Sequence, residues 1–380
     1  MSDLSGKQDY DLGNVLVIGG CGFLGHHIVD TLHKSYKCVI AILDLHTTRN
    51  RRTDIDGIQY FDGDITSMES ILPIFLHTRP SIVIHTASPT LTGGSNELFK
   101  KVNVDGTRCV IEACQKFNVK ALVYTSSASV ISDNVTDLIN ADERWPIIPS
   151  KFQTEYYSVT KVFRFSRWPY NAESLVLASN RSSSHPSLLT CSLRPAGIFG
   201  EGDVQLIPNM LKVYENSKTG FQLGDNSNLF DFTYVGNVAQ AHCLAAAALQ
   251  ATSQLSTTPL SHEKVDGEAF FITNDQPIYF WDFARAVWKA AGSDKGTEHV
   301  WEISQNVGML IGGIMEYTLW LVGKAPSLTR RQVRYSCMTR YYDCGKAKRL
   351  LGYKPEVHLW EGIKRSVAWF KNENKPRKTE

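Results

Sequence analysis

The chain has 380 residues, of which 43% are hydrophobic and 21% charged, and its formal net charge is +2. This composition is that of an ordinary globular protein and argues against disordered and fibrous classes. Because 40 basic and 38 acidic side chains nearly balance, charge gives no reason to expect a nucleic-acid partner. The eight cysteines form no C-x-x-C pair, so we expect free thiols and no metal site.

The first half of the chain alternates short β-branched runs with segments of helical spacing. Residues 14–19 have the pattern of a buried strand, residues 23–34 that of a helix, and residues 38–44 that of a second strand. Further strands are predicted at residues 58–61, 81–86, 121–125 and 188–193. Alternation of this kind predicts an α/β fold with a Rossmann-like, doubly wound parallel sheet, followed by a smaller C-terminal substrate-binding portion.

A glycine-rich turn joins the first predicted strand to the first predicted helix. Gly19, Gly22 and Gly25 are spaced as G-x-x-G-x-x-G. Such a turn lets the backbone approach a pyrophosphate, and the helix N-terminus offers it N–H groups and a positive dipole. The turn therefore predicts a dinucleotide site, with a glycine-rich turn that holds no ligand as the alternative.

Acidic residues follow the second and third strands. Asp44 is placed to accept hydrogen bonds from both ribose hydroxyls and to repel a 2′-phosphate, which favours NAD over NADP. Three nearby arginines would weaken that preference, namely Arg49, Arg51 and Arg52. Asp64 and Ile65 either flank the adenine or are an ordinary loop acid beside a core residue.

Two further motifs carry polar groups suited to proton transfer. Tyr157 and Lys161 are four residues apart, so on a helix they share one face and the ammonium lowers the pKa of the phenol. The phenolate would then take the proton of a substrate hydroxyl while a hydride leaves. Ser126, Ser127 and Ser129 follow the fifth strand, where each could hold the substrate oxygen or merely cap the loop.

Together and in this order, these motifs resemble the extended short-chain dehydrogenase/reductase superfamily. Residues 194–200 and 231–242 resemble its 3β-hydroxysteroid dehydrogenase family, and residues 125–130 and 335–353 resemble the members that decarboxylate 4α-carboxysterols. The resemblance covers roughly residues 13–370. The predicted division of the chain is an NAD-binding portion at 13–200 and a substrate-binding portion at 201–370, and the charged residues 371–380 predict a flexible tail.

The resemblance also implies residue roles. Tyr157 would be the general base, Lys161 its partner and Ser127 the serine that orients the substrate. The cofactor is expected to be NAD, with NADP as the alternative. The residues predicted to contact it are Gly19, Gly22, Phe23, Leu24, Gly25, Asp44, Asp64, Ile65, Ala87, Ser88, Tyr157, Lys161 and Pro195.

The activity implied is oxidation of the 3β-hydroxyl of a 4α-carboxysterol, or of a related triterpenoid, to a 3-keto acid that loses CO₂ during C-4 demethylation in sterol biosynthesis. A β-keto acid loses CO₂ without a further cofactor. Two alternatives stay open: a 3β-hydroxysteroid dehydrogenase/Δ5-isomerase, and a non-catalytic dinucleotide sensor of the NmrA type. Expected partners are the sterol or triterpenoid substrate, other C-4 demethylation enzymes and a second copy of the chain in a homodimer.

The most lipophilic late segment is 307–323, which is short for a bilayer span and carries Glu316 at its middle. Nine lysines and arginines against one aspartate follow it between residues 324 and 354. We predict contact with a membrane surface, and the resemblance implies the cytoplasmic face of the endoplasmic reticulum, by peripheral contact or a short anchor. A buried helix followed by a solvated basic face is the alternative.

One segment departs from the family pattern. Residues 162–171 separate Lys161 from the helical pattern that begins at Ala172, and Pro169 would end or kink a helix there. Two interpretations stay open for this segment, a loop that bulges from the helix and a gene-model artefact such as retained intron sequence, and we favour the second.

Overall fold

A computed structural model describes residues 11–89, 95–148, 172–321, 323, 326 and 328–373. The strands are β1 (Asp11–Ile18), β2 (Lys37–Asp44), β3 (Gln59–Asp62), β4 (Ile82–His85), β5 (Ala121–Thr125), β6 (Leu138–Ala141), β7 (Leu189–Pro195), β8 (Gly197–Phe199), β9 (Phe221–Leu223), β10 (Leu229–Phe230), β11 (Phe232–Tyr234), β12 (Ala269–Ile272), β13 (Ile278–Tyr279), β14 (Trp301–Ile303) and β15 (Arg340–Tyr342).

The helices are α1 (Phe23–Ser35), α2 (Met68–Thr78), α3 (Asn96–Lys100), α4 (Thr107–Lys116), α5 (Ala172–Ala178), α6 (Leu206–Glu215), α7 (Val235–Ser253), α8 (Phe280–Ala291), α9 (Gln305–Leu321), α10 (Arg330–Cys337), α11 (Gly345–Leu351) and α12 (Leu359–Glu373). A π-helical turn, Lys101–Gly106, joins α3 to α4, and a 3₁₀ turn, Ala128–Ile131, follows β5.

Seven parallel strands form the central sheet, in the order β3-β2-β1-β4-β5-β7-β12. The central strands β4 and β5 are buried along their whole length, as expected where helices cover both faces of a parallel sheet. The sequence predicted six of these strands, and the structure confirms each of them within a few residues. The chain order reverses beside β1, which is where open α/β sheets bind ligands, at the carboxyl ends of the strands.

The seventh strand, β12, was not predicted. Its four residues, Ala269–Ile272, are a short apolar run that periodicity cannot distinguish from a buried helical turn. In the structure it pairs with β7 at the edge of the sheet. The central sheet therefore takes a strand from beyond residue 200, where the predicted NAD-binding portion ends.

Two hydrophobic layers sandwich the sheet. On one face, apolar residues of α1 and α7 pack against β1, β5 and β7, and the alanine-rich surface of α7 allows a close approach. On the other face, α2, α4 and α5 cover the sheet with a separate set of buried residues. A third cluster joins the carboxyl ends of the strands to a small sheet of order β13-β10-β15-β6. This small sheet brings late parts of the chain to the ligand-binding edge.

Helix α9 packs on α10 through two glycines. A Cβ atom at Gly312 would lie 2.9 Å from the backbone nitrogen of Arg330, and one at Gly308 would lie 3.0 Å from a methyl group of Val333. Both glycines are buried, whereas most other side chains of α9 are exposed. Over the described ranges, no helix has the length and apolar character needed to cross a bilayer.

Candidate functional site

The glycine turn lies between β1 and α1, as predicted, at the edge where the chain order of the sheet reverses. Gly19 has a φ of +84°, and a Cβ there would lie 2.7 Å from the backbone nitrogen of Ala87. A Cβ at Gly25 would lie 2.0 Å from the carbonyl oxygen of Gly19, so the first turn of α1 contacts the end of β1 directly. Gly22, Phe23 and Leu24 open the helix, whose N-terminus points its N–H groups toward this edge.

Asp44 ends β2 and braces the glycine turn. Its Oδ2 accepts a hydrogen bond of 2.9 Å from the backbone N–H of Cys21, and its Oδ1 accepts one of 2.8 Å from Leu45. Burial and the neighbouring Asp44 carboxylate raise the pKa of Cys21 to about 11, so this thiol stays protonated at neutral pH. A carboxylate oxygen has two acceptor sites, so Asp44 retains the capacity to accept ribose hydroxyls.

Nearby arginines are engaged by other groups. Arg52 donates hydrogen bonds to Asp30 and Asp56, and Arg51 lies 4.3 Å from the centre of the Tyr60 ring. These contacts compete with binding of a 2′-phosphate by either guanidinium. Arg51 and Arg52 are therefore less able to bind a 2′-phosphate, which leaves the preference for NAD that Asp44 predicts.

Asp64 and Ile65 follow β3. The Oδ1 atom of Asp64 accepts hydrogen bonds of 2.8 Å from the backbone N–H and the hydroxyl of Thr66. Ile65 is buried in the layer that packs against α2 and α4. These are the contacts of a loop acid beside a core residue, and contact with an adenine stays a prediction.

Ala87 and Ser88 follow β4, the strand beside β1. Their partial exposure and the close contact between Ala87 and Gly19 place them along the same edge as the glycine turn. Pro195 ends β7 on the far side of β5 and is buried. Parallel strands bring all these positions to one edge of the sheet, as the prediction of a cofactor channel requires.

The three strand-end serines have different environments. The side chain of Ser126 is buried, whereas Ser127 and Ser129 are partly exposed. The Oγ atom of Ser127 accepts a hydrogen bond of 3.2 Å from the backbone N–H of Ser129 and thereby caps the 3₁₀ turn. The structure thus shows the capping role of Ser127, and contact of its hydroxyl with a substrate stays a prediction.

Behind the serines lies a buried ion pair that the sequence did not single out. Glu173 opens α5, and its Oε1 accepts a hydrogen bond of 3.1 Å from Nε of Arg194 in β7. Ser192 also donates to this carboxylate, at 3.2 Å. Burial alone would raise the pKa of Glu173, but the charge and hydrogen bonds of Arg194, with those of Ser126 and Ser192, outweigh it and hold that pKa below its usual value.

A second buried arginine approaches the serines from the small sheet. Arg340, in β15, is 5% exposed. Its Nη2 donates a hydrogen bond of 2.8 Å to Oγ of Ser129, and its Nε donates one of 2.7 Å to the hydroxyl of Tyr342. The Tyr342 ring stacks on Phe271 of β12 at a centroid distance of 4.8 Å. Ser126 is thus hydrogen-bonded to Glu173, the partner of Arg194, and Ser129 is hydrogen-bonded to Arg340.

A buried histidine also supports the end of β5. The Nδ1 atom of His242, in α7, lies 2.8 Å from the carbonyl oxygen of Val238, which can only accept, so Nδ1 carries the proton. The Nε2 atom lies 2.7 Å from Oγ1 of Thr125, within hydrogen-bond distance. Neither residue was predicted, because nothing local in the sequence connects positions 117 residues apart.

Tyr157, Lys161 and residues 162–171 lie outside the described residues. The predicted roles of the base and its partner therefore stay predictions. Ala172, the first described residue after this gap, is buried on the α5 side of the sheet. All eight cysteines are free thiols, and within the described ranges no group of three His, Cys, Asp or Glu side chains is placed to hold a metal ion.

Comparison with known proteins gives consistent results. Residues 16–303 match the 3-beta hydroxysteroid dehydrogenase/isomerase family. The chain is 44% identical to the sterol-4-alpha-carboxylate 3-dehydrogenase erg26, decarboxylating, of Schizosaccharomyces pombe, over 96% of this chain and 99% of that one. It is 34% identical to the sterol-4-alpha-carboxylate 3-dehydrogenase, decarboxylating, of Mus musculus, over 93% and 90% of the two chains.

Solved structures share the fold at lower identity. A Thermus thermophilus UDP-glucose 4-epimerase in complex with NAD aligns with a TM-score of 0.64 and 23% identity, over 94% of this chain and 98% of that one. The epimerase Mth375 of Methanothermobacter thermautotrophicus aligns with a TM-score of 0.69 and 22% identity, over 96% and 94%. The arrangement of strands and helices is therefore that of a Rossmann-like nucleotide-binding fold.

Proposed function

Because the chain belongs to the 3-beta hydroxysteroid dehydrogenase/isomerase family, we propose that it oxidises the 3β-hydroxyl of a 4α-carboxysterol, or of a related triterpenoid, with NAD as the hydride acceptor. The observation that carries this proposal is the match, over nearly the whole chain, to relatives whose names describe that reaction. The proposed setting is C-4 demethylation in sterol biosynthesis, or a specialised triterpenoid route that uses the same steps.

The residues at the strand edge fit a dinucleotide. The close approach of α1 to β1 at Gly25 and the left-handed turn at Gly19 leave backbone N–H groups at a helix N-terminus, which suits a pyrophosphate. Asp44 offers acceptors for ribose hydroxyls and repels a 2′-phosphate, so we favour NAD over NADP. Bound NAD supplies an acceptor for the hydride of the C-3 carbon.

The proton chemistry is assigned to the chain's own residues. Tyr157, as phenolate, takes the proton of the C-3 hydroxyl, and the ammonium of Lys161 favours that phenolate. Ser127, in the loop after β5, hydrogen-bonds the same oxygen and holds it for transfer. We assign these roles as part of the proposal.

Loss of CO₂ needs no further catalytic group. Oxidation at C-3 makes a β-keto acid, in which the bond between C-4 and the carboxyl carbon breaks as the C-3 carbonyl accepts the electron pair. The products are CO₂ and an enolate, which takes a proton to become the 3-ketone. A hydrogen-bond donor such as Ser127 at the C-3 oxygen would stabilise that enolate.

The test is NADH formation from a 4α-carboxy-3β-hydroxysterol and from the same sterol without the carboxylate. We expect one CO₂ for each NADH with the first substrate. Tyr157→Phe should abolish NADH formation and retain NAD binding, and Tyr156→Phe is the matched control because its i+4 residue is Thr160. NADH without CO₂ and with a Δ4-3-ketone product would indicate the isomerase, and NAD binding without turnover would indicate the sensor.

We further propose that α9 rests on the cytoplasmic face of the endoplasmic reticulum membrane. Its exposed apolar side chains follow a spacing of three and four residues, so they form one stripe along the helix: Val307, Leu310, Ile311, Ile314, Tyr317 and Leu321. Glu316 lies on the opposite side, where its Oε2 accepts a hydrogen bond of 2.8 Å from Arg330. The stripe is therefore free of charge, and exposed Arg331 and Arg334 on the adjacent α10 suit anionic headgroups.

Sedimentation with vesicles of phosphatidylcholine and phosphatidylserine tests this attachment. The variant Leu310→Asp/Ile314→Asp should lower the bound fraction at least about tenfold, because carboxylates enter hydrocarbon poorly. The control is Ile55→Asp, a 96% exposed isoleucine remote in sequence. Equal binding of both variants would reject α9 as the contact. Association with a second copy or with other C-4 demethylation enzymes stays a prediction, which cross-linking on the same vesicles would test.

A further inference from the structure

Side chains outside the glycine turn hold two of its consecutive residues by their peptide groups. The backbone N–H of Cys21 donates to Oδ2 of Asp44, and the carbonyl oxygen of Cys21 accepts a hydrogen bond of 2.9 Å from Nδ2 of Asn50. The carbonyl oxygen of Gly22 accepts one of 2.9 Å from Nδ1 of His26, which carries a proton because a carbonyl oxygen can only accept. Asn50 and His26, which the predicted cofactor site does not include, are therefore in direct contact with its glycine turn.

Asn50 belongs to the loop between β2 and β3, and this loop is fixed beside α1. The backbone of Asn50 has a φ of +51°, a left-handed conformation that asparagine adopts more readily than most residues. Arg52, two residues later, donates hydrogen bonds to Asp30 of α1 and to Asp56 of the same loop. The amide of Asn50 is therefore held against the turn at the start of that helix, although the residue itself is exposed.

The ring of His26 is confined by the segment that follows β8. A Cβ atom at Gly202 would lie 3.3 Å from Cε1 of His26, and the ring centre of His27 lies 4.1 Å from that of His26. Nε2 of His27 in turn donates a hydrogen bond of 2.8 Å to the carbonyl oxygen of Glu201, which holds the segment on α1. These contacts keep the His26 ring where its Nδ1 reaches Gly22.

The orientation of these peptide groups determines where the N–H groups of the helix end point. Phe23, Leu24 and Gly25 are the first three residues of α1, and their N–H groups have no acceptor among the residues that the structure describes. In a trans peptide the N–H points opposite to the C=O, so the hydrogen bonds that the Gly22 carbonyl oxygen accepts direct the Phe23 N–H out of the helix end. A pyrophosphate bound at this helix end would accept from these groups. The side chains that hold Cys21 and Gly22 therefore orient the donors before a cofactor binds.

We propose that His26 and Asn50 are positioning residues for the cofactor, which hold the glycine turn in the conformation that receives the pyrophosphate. This inference rests on the proposed NAD site and adds to it two residues that act through the turn. A turn that is already ordered loses less conformational entropy when it binds its ligand. Loss of either hydrogen bond therefore weakens the binding of ligands that contain a pyrophosphate and leaves the binding of adenosine unchanged.

The experiment measures the Kd of the full-length protein for NAD and ADP-ribose by calorimetric titration, and for adenosine by ligand-observed NMR. Asn50→Ala should raise the Kd for NAD and ADP-ribose about tenfold, since the carbonyl oxygen of the buried Cys21 loses the hydrogen bond from the loop. His26→Leu should raise it about fivefold, because the Gly22 carbonyl oxygen keeps the hydrogen bond from the backbone N–H at position 26. The Kd for adenosine should stay at the wild-type value in both variants.

A conservative variant separates the hydrogen bond from packing. His26→Asn places an amide nitrogen near the position of Nδ1 and should bind NAD within about twofold of the wild-type protein. In sterol oxidation, Asn50→Ala and His26→Leu should raise KM for NAD, with KM for the sterol and kcat at saturating NAD nearly unchanged.

Matched controls remove the same groups elsewhere in the chain. Asn216→Ala removes a hydrogen bond from Nδ2 to the carbonyl oxygen of Lys212 in α6, and His262→Leu removes an imidazole that is 76% accessible. Both should keep the wild-type Kd for NAD. The thermal midpoint is measured for every variant, and Asn50→Ala, at an exposed position, tests the inference even if His26→Leu does not fold.

Two results would overturn the inference. One is a wild-type Kd for NAD and ADP-ribose in Asn50→Ala or in folded His26→Leu. The other is an equal rise in the Kd for adenosine, which would show that the substitution disturbs the whole site. A wild-type protein that binds neither NAD nor ADP-ribose would instead reject the proposed cofactor.

Discussion

The glycine turn is built from one short stretch of chain, whereas the polar cluster around Ser127 is assembled from segments far apart in sequence. Residues 19–25 supply the whole turn, in which a Cβ at Gly22 or Gly25 would meet the carbonyl oxygen of Gly19 and a Cβ at Gly19 would meet the backbone of Ala87. The cluster combines the loop after β5 with Glu173, Arg194 and Arg340. A single change should therefore act on one contact in the turn, and on several coupled contacts in the cluster.

The largest effect on cofactor binding is expected in the glycine turn. Gly25→Ala places a Cβ 2.0 Å from the carbonyl oxygen of Gly19, so α1 must move away from β1 and its N–H groups leave the pyrophosphate position. We expect NAD affinity to fall at least about hundredfold in a calorimetric titration. Gly296→Ala is the control, since a Cβ there meets no atom within 4 Å. Wild-type affinity in Gly25→Ala would show that the turn tolerates a side chain.

The next prediction concerns protein stability, and it tests whether the contributions of Glu173 and Arg194 depend on each other. Glu173→Gln leaves the charge of Arg194 buried without its partner, which should cost about 3–5 kcal/mol in the free energy of unfolding measured in urea. Removing both charges in Glu173→Leu/Arg194→Met should cost less than Glu173→Gln alone. Costs that simply add would show that the two residues act independently. In that case a substitution in the cluster would act on a single contact, as a substitution in the glycine turn does.

The same contrast explains what could be predicted from the sequence. Six strands of the sheet, the glycine turn and Asp44 follow from local patterns, because each depends on residues adjacent in the chain. Glu173 and Arg194 could not be identified as partners, since their contact arises only when α5 packs on β7. Strand β12 escaped prediction because a four-residue apolar run carries too little periodicity.

The late basic stretch shows the limit of counting charges. Nine basic residues between 324 and 354 predicted one basic surface. In the structure, Arg330 pairs with Glu316, Lys346 with Glu268 and Lys348 with Asp275, while Arg340 is buried. The acids that neutralise the stretch come from other elements. The charge at this surface is therefore smaller than the sequence predicted.

A pH effect is expected at Asp231, beside the cluster. Burial, which outweighs the hydrogen bond from Tyr342 N–H, raises the pKa of Asp231 from 3.8 to about 7. The folded protein holds this proton more tightly than the unfolded chain, so the free energy of unfolding falls as pH rises from about 4 to 7. Asp231→Asn keeps an acceptor for Tyr342 and should gain about 2–4 kcal/mol at pH 8 relative to wild type.

Urea unfolding at pH 5 and pH 8 measures that difference. The gain should shrink at pH 5, where wild-type Asp231 is largely protonated. The control, Asp54→Asn, removes a carboxylate with a 95% accessible side chain and should change stability little at either pH. A gain of equal size at both pH values would show that the substitution acts through packing and not through the proton.

The smallest effect concerns the preference for NAD over NADP. It tests whether Asp44, a residue identified from the local sequence pattern, determines that preference. Asp44→Asn keeps an acceptor for Cys21 N–H and removes the charge that repels a 2′-phosphate, so the preference for NAD over NADP in kcat/KM should fall about tenfold. Asp62→Asn is the matched control, because this carboxylate ends the neighbouring strand and binds Thr47. An unchanged preference in Asp44→Asn would assign the selection to the arginines after β2, and the cofactor site would then depend on several segments, as the strand-end cluster does.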